Sequence, residues 1–196
     1  MFKLGLTGSI GMGKSTTAKL FAEEGCAVWD ADAAVHRLYD IGGAAVAPMQ
    51  AAFPEAVQNG RVSREILRTI IARDSAALRL IEKIVHPLVA NDRSQFLSLT
   101  KADIVVFDIP LLFETGGDAN MDAVACVSVS DDEQERRVLS RGTMTRDDFL
   151  AIRAKQMPNS EKCARSDYVI VTDTVEHARA QVQSVVRQIR DQLAHA

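Results

Sequence analysis

Gly8-Ser9-Ile10-Gly11-Met12-Gly13-Lys14-Ser15-Thr16 places glycines, one lysine and two hydroxyls at the G-x-x-x-x-G-K-[ST] spacing that cradles phosphate groups. A triphosphate presents many acceptors in a small volume, and glycines let successive backbone N–H groups turn inward to meet them. In that pattern Lys14 reaches the β- and γ-phosphates, the Ser15 hydroxyl ligates a Mg2+ that keeps most of its waters, and Thr16 offers its backbone N–H to the α-phosphate. Carboxylates stand at two further places. Asp30-Ala31-Asp32 follows the strand-like Ala27-Val28-Trp29, and Asp108 closes the apolar run Ile104-Val105-Val106-Phe107. Either Asp30 or Asp32 taken singly fits a helix cap equally well, whereas both together opposite a phosphate loop point to function. Asp108 has the placement of a Walker-B carboxylate that holds the Mg2+ shell through water, and it competes with Asp32 for the part of general base.

These residues need a scaffold, and the flanking pattern supplies one. Lys3–Thr7 reads as a short buried strand, and Thr17–Glu24 carries Ala18, Leu20, Phe21 and Ala22 at helical spacing. Further strands are expected at 27–30, 104–108, 123–129 and 168–172, with helices at 33–39, from Ser130-Asp131-Asp132 to an end at Arg141-Gly142, at 144–156 and at 175–193. In open parallel sheets ligands bind beyond the carboxyl ends of the strands, which is where the acids fall. From Gly42 to Leu99 the sequence shows no convincing strand and reads as a helical insertion. Within it Ser63 is the expected N-cap of one helix, Asp74 opens a longer one, and the ring of Pro87 is expected to bend or restart that helix at His86. Arg136, Arg137, Arg141, Arg146 and Arg153 gather between two late strands, the form of a mobile lid over nucleotide.

Composition bounds the class. The 196 residues suit one α/β domain with insertions rather than two full-size domains, and the net charge of −3 argues against nucleic acid as the main partner. Cys26, Cys126 and Cys163 are odd in number and lack metal-ligand spacing; with no apolar stretch long enough to span a bilayer, they give a cytoplasmic expectation without membrane attachment. Cys26 and Cys126 read as small core residues. A switch GTPase would carry an Asn-Lys-x-Asp motif late in the chain, which is missing, and a motor ATPase would need more chain.

The element order is that of a small-molecule kinase. Leu6 to Thr16, Asp30-Ala31-Asp32, His86-Pro87, Asp108-Ile109-Pro110-Leu111-Leu112-Phe113-Glu114, Arg153-Ala154-Lys155-Gln156 and Ser166-Asp167-Tyr168-Val169-Ile170 together resemble the dephospho-coenzyme A kinases over nearly the whole chain. The resemblance implies a P-loop NTPase of the nucleoside-monophosphate-kinase type. Its five-stranded parallel sheet would come from 1–32, 100–135 and 164–196, with an acceptor-binding helical insertion at 33–99 and a lid at 136–163. It implies phosphorylation of the ribose 3′-hydroxyl of dephospho-CoA by ATP with Mg2+, the last step of coenzyme A synthesis; a monomer or a small homo-oligomer is equally compatible with the sequence, since a helical insertion can bury its outer face in a partner or expose it. For the site it implies Asp32, Lys14 and Arg141 as catalytic groups. Gly8, Gly11, Met12, Gly13, Lys14, Ser15, Thr16 and Arg141 would hold the nucleotide, and Ser15 and Asp108 the metal. Asp32, His86, Leu111 and Glu114 would contact the acceptor. Similar proteins usually carry Asp-Asn directly after the last strand, where this chain has Val171-Thr172. Another small-metabolite kinase and a nucleotide-binding regulatory module without turnover are the rival functions.

Overall fold

The computed structural model describes residues 1–195. Strand β1 (Phe2–Thr7) runs into the glycine loop and helix α1 (Lys14–Glu23), followed by β2 (Ala27–Asp30) and α2 (Ala31–Tyr39). Next come α3 (Val46–Ala52), the two-residue strands β3 (Val57–Gln58) and β4 (Arg61–Val62), α4 (Arg64–Arg73) and α5 (Ser75–Leu99). The chain then returns through β5 (Ile104–Asp108), β6 (Ala123–Ser128), α6 (Asp131–Leu139), α7 (Arg146–Lys155), α8 (Asn159–Arg165), β7 (Tyr168–Val171) and α9 (Val175–Ala194). It divides into two compact units, Met1–Trp29 with Lys101–Ala196, and Asp30–Thr100.

The large sheet is five-stranded and parallel, in the order β2-β5-β1-β6-β7. β1 lies between β5 and β6, pairing Leu6 with Asp108 on one side and Thr7 with Cys126 on the other. Because the connection from β1 runs to one side of the sheet, to β2, and the connection from β5 crosses to the other, to β6, a crevice opens beyond the carboxyl end of β1, where the phosphate loop starts. Alternation along the strands sends Leu4, Leu6, Ile104, Val106, Ala125, Val127 and Ile170 to one face. There they pack on Leu20 and Phe21 of α1 and Val182, Val185 and Ile189 of α9. On the opposite face Leu112 and Phe113 cover Val124. A Cβ on Gly5 would meet Leu112 Cδ2 at 2.6 Å, so the bare backbone of β1 is what lets the loop after β5 lie down on the sheet.

The second unit has its own core of Leu38, Tyr39, Met49, Phe53, Val62, Leu67, Ile81 and Val85. Ser63 Oγ accepts from the Ile66 amide and Asp74 Oδ1 from the Ala76 amide, so both expected caps form. Two expectations are corrected. The insertion does hold strands: Asn59 and Gly60 take φ of 50° and 76°, closing β3 and β4 as a hairpin with a type I′-like turn. The helix does not restart at Pro87. α5 runs unbroken past it, because the residue and Lys83, whose carbonyl loses its donor, both lie on the exposed face where water substitutes.

The cysteines are all free thiols. Burial pushes the Cys26 thiol up to about 11 and raises that of Cys126 further, as core residues require. Among the described residues no helix is long and apolar enough to cross a membrane.

Candidate active site

The phosphate loop is held open by contacts on every side. Gly13, the residue before α1, has φ of 93°, and a Cβ there would come within 2.9 Å of Thr172 Oγ1. Thr172 donates to the Met12 carbonyl (2.7 Å), while the Met12 side chain is buried with its sulfur facing the Val129 amide (3.3 Å). Met12 N–H itself donates to the Ser9 carbonyl (3.2 Å). Gln134 Nε2 donates to the Ile10 carbonyl (2.7 Å). The Ser9 and Ile10 amides point to Asn159 Oδ1 (3.0 Å) and Gln156 Oε1 (3.1 Å). Ser15 and Thr16 begin α1 with exposed side chains, where the helix dipole favours an anion.

Lys14 makes an ion pair with Asp108, whose residue is only 2% exposed. Strand pairing accounts for this: Asp108 ends β5 directly beside Leu6, so the last carboxylate of one strand meets the first lysine after its neighbour. Thr7 Oγ1 donates to the Pro110 carbonyl (3.1 Å), tying the ends of the same two strands together.

A cavity of about 200 Å³ adjoins the loop, lined among others by Gly11, Thr16, Arg137, Arg141, Thr172 and Asp173. Arg137 is fixed there, donating to Glu133 Oε1 (2.6 Å), Thr172 O (2.7 Å) and Thr172 Oγ1 (3.2 Å). Arg141 is exposed and has no carboxylate partner among the described residues, a cation available to an anion. Hydrogen bonds from Arg136 and Arg137 hold the Glu133 carboxyl down at about 2. A carboxylate depressed below its unfolded value of about 4.3 contributes stability above that pH and loses it as pH falls toward the folded value. The stability difference between wild type and Glu133→Gln is therefore expected to shrink between pH 5 and pH 3, read from urea midpoints. For Thr172→Val, which keeps the shape and removes the donor to Met12 and the acceptor for Arg137, the expectation is a loss of about 1–3 kcal/mol at unchanged m-value.

Beyond Asp108, Leu111 is 42% exposed, and Glu114 is an exposed residue whose carboxylate is held by two donors. Glu114 Oε1 accepts from the Met157 amide (2.9 Å) and pairs with Lys162 Nζ (2.8 Å). Burial raises the Glu114 carboxyl, but hydrogen bonds from Lys162 and the Met157 amide outweigh it and leave it below the usual range. In the second unit Asp30 caps α2 through the Ala33 amide (2.9 Å), and Asp32 is exposed in its first turn. His86 is exposed on α5.

A model of the dephospho-CoA kinase family matches residues 2–177. The chain belongs to that family. The dephospho-CoA kinase of Ruegeria pomeroyi is 70% identical, the match covering 100% of this chain and 99% of that protein. That of Cereibacter sphaeroides is 56% identical over 97% of this chain and 96% of its own length. Among solved structures, TT1252 from Thermus thermophilus superposes with a TM-score of 0.86 at 33% identity, covering 95% of this chain and 96% of that one. A dephospho-CoA kinase from Campylobacter jejuni shares the fold, with a TM-score of 0.64 at 21% identity over 95% and 96% of the two chains.

Of the residues singled out in the sequence, the structure brings the glycine loop, Lys14, Ser15 and Asp108 to one sheet edge, with Arg141 on the adjoining cavity. Thr172 buttresses Met12 and receives Arg137. Sequence reasoning missed Gln134, Asn159 and Lys162, and it named Arg137 only among the lid arginines and Gln156 only within a motif, without the contacts they make. The i, i+4 spacing of Glu133 and Arg137 signals their pairing, and Pro158 signals a new helix start at Asn159. Nothing local marks Lys162.

Proposed function

We propose that the chain transfers the γ-phosphoryl group of ATP to the ribose 3′-hydroxyl of dephospho-CoA, giving CoA and ADP. The observation that carries the reading is a complete phosphate loop, its lysine already at the strand-end carboxylate, in a member of the dephospho-CoA kinase family. The 3′-oxygen attacks the γ-phosphorus, the bond to the β,γ-bridging oxygen breaks, and the hydroxyl proton passes to Asp32. Asp108, facing the Lys14 ammonium, plays a different part, presenting that ammonium at the loop until phosphate oxygens take it over. Arg141 closes on the phosphates from the side of the small cavity. The 33–99 insertion receives the acceptor, with His86, Leu111 and Glu114 as contacts, and the 136–163 segment acts as the lid.

Among the described residues no group of three or more His, Cys, Asp or Glu could hold a metal. A Ser hydroxyl beside a phosphate loop and one strand-end carboxylate instead fit a Mg2+ that arrives on phosphate oxygens and keeps waters. When bound it neutralises charge on the transferred group. The three unbridged thiols support a cytoplasmic setting. ADP release measured with dephospho-CoA and with nucleoside monophosphates tests the assignment. Turnover dependent on dephospho-CoA is expected, and a preference for a nucleoside monophosphate would overturn it.

A further inference from the structure

Lys162 is completely buried, with 0% exposure, an unusual place for an ammonium whose removal from water is costly unless its partners are well set. Its partners lie at the two ends of one short turn. Nζ donates to the Pro110 carbonyl (2.9 Å), two residues after Asp108, and pairs with the Glu114 carboxylate (2.8 Å) at the far end. The Pro110 carbonyl also receives the Thr7 hydroxyl from the end of β1 (3.1 Å). Between these anchors Leu112 and Phe113 are buried against the sheet, and Arg165, on the same helix as Lys162, stacks over the Phe113 ring at 4.4 Å.

The other end of α8 reaches the phosphate loop. Asn159, three residues before Lys162, accepts from the Ser9 amide (3.0 Å) and donates to the Val127 carbonyl (3.2 Å). Glu114 itself accepts from the Met157 amide (2.9 Å), next to Gln156, which holds the Ile10 amide (3.1 Å). One short stretch, 156–162, thus grips both the loop that receives phosphate and the turn that follows the strand-end carboxylate.

We infer that Lys162 is a positioning residue for phosphoryl transfer: it locks the Pro110–Glu114 turn in the register that keeps Asp108 opposite Lys14, while Asn159 on the same helix sets the phosphate loop. The inference rests on the reading that puts Asp108 and Lys14 at the reacting phosphate. A purely packing role needs no charge, because a methionine of similar length would fill the space. A charge with two fixed acceptors specifies a geometry. Small displacements of groups around a reacting phosphate are enough to cost about 10²-fold in rate.

The test compares Lys162→Met, Lys162→Arg and the double variant Lys162→Met/Glu114→Gln, which leaves no carboxylate without its ammonium. Thermal melting, the dissociation constant of Mg-ATP, kcat and both KM values are measured for each. For Lys162→Met the expectation is a fall in kcat of about 10²-fold with Mg-ATP affinity within about threefold of wild type, partly restored in Lys162→Arg. The double variant is expected to recover melting temperature but not kcat. Read against Glu114→Gln alone, because Glu114 is also placed at the acceptor, it decides the matter if Lys162→Met fails to fold. A folded double variant with wild-type kcat overturns the inference, whatever its KM for the acceptor. Asp108→Asn is assayed in parallel to separate the two levels. Wild-type turnover there sinks the site reading and the inference with it, whereas an inactive Asp108→Asn beside a fully active double variant sinks the inference alone.

Discussion

Asp32→Asn is expected to lower kcat by about 10²-fold or more while Mg-ATP affinity stays within about twofold. The variant keeps the size and the hydrogen-bonding oxygen of the side chain but cannot take a proton. Asp30, not Asp32, caps α2 through the Ala33 amide. Loss of activity in Asp32→Asn therefore has no route through the helix cap, and its melting temperature is expected to match wild type. Steady-state ADP release with saturating dephospho-CoA reads the effect directly. Wild-type turnover would remove Asp32 from the chemistry and leave Asp108 as the base.

Lys14→Ala is expected to damage binding and rate together. A charge-assisted hydrogen bond to phosphate contributes about 1.5–3 kcal/mol, so Mg-ATP affinity should fall by about 10- to 100-fold by calorimetry with a non-hydrolysable analogue. Stabilisation of the spreading charge in a loose transition state is lost as well, lowering kcat by about 10²–10³-fold. The variant also takes the ammonium away from a buried Asp108, so a lower melting temperature accompanies it. Adding Asp108→Asn to Lys14→Ala is expected to return part of that melting temperature without returning nucleotide affinity. An unchanged nucleotide dissociation constant in Lys14→Ala would contradict the phosphate-loop reading.

The phosphate loop and the strands beside it were legible because the physics that specifies them is local. The glycine loop depends on residue types at fixed spacing, and its neighbours β5 and β6 are apolar runs buried on both faces, which mark themselves in any window. The pairing of Lys14 with Asp108 followed once β1 and β5 were neighbours. The features that escaped are of two kinds. The β3–β4 hairpin has strands of two residues each, too short to show an alternating pattern, and only the Asn59-Gly60 turn announced it. Helix α8 turns Lys162 inward, so a charged residue occupies the place where an apolar one would signal a buried face. Thr172 lies just past the end of β7, and its bond to Met12 joins positions 160 residues apart in sequence. Only the sheet topology brings them together.

Pro87 shows the same dependence on context. A proline in a helical pattern removes one hydrogen bond wherever it stands, but whether the helix ends there depends on what replaces that bond. On the exposed side of α5 water does so, and the helix continues for about another three turns.

The most direct measurement follows the transferred group itself. ATP isotopically labelled in its γ-phosphoryl oxygens is mixed with Mg2+, dephospho-CoA and the chain, and the product is examined by mass spectrometry and phosphorus NMR. Labelled phosphate is expected as a monoester on the ribose 3′-oxygen of CoA, with stoichiometric ADP, and none when Lys14→Ala replaces the wild type. Label released as free phosphate, or found on any other position of the acceptor, would contradict it.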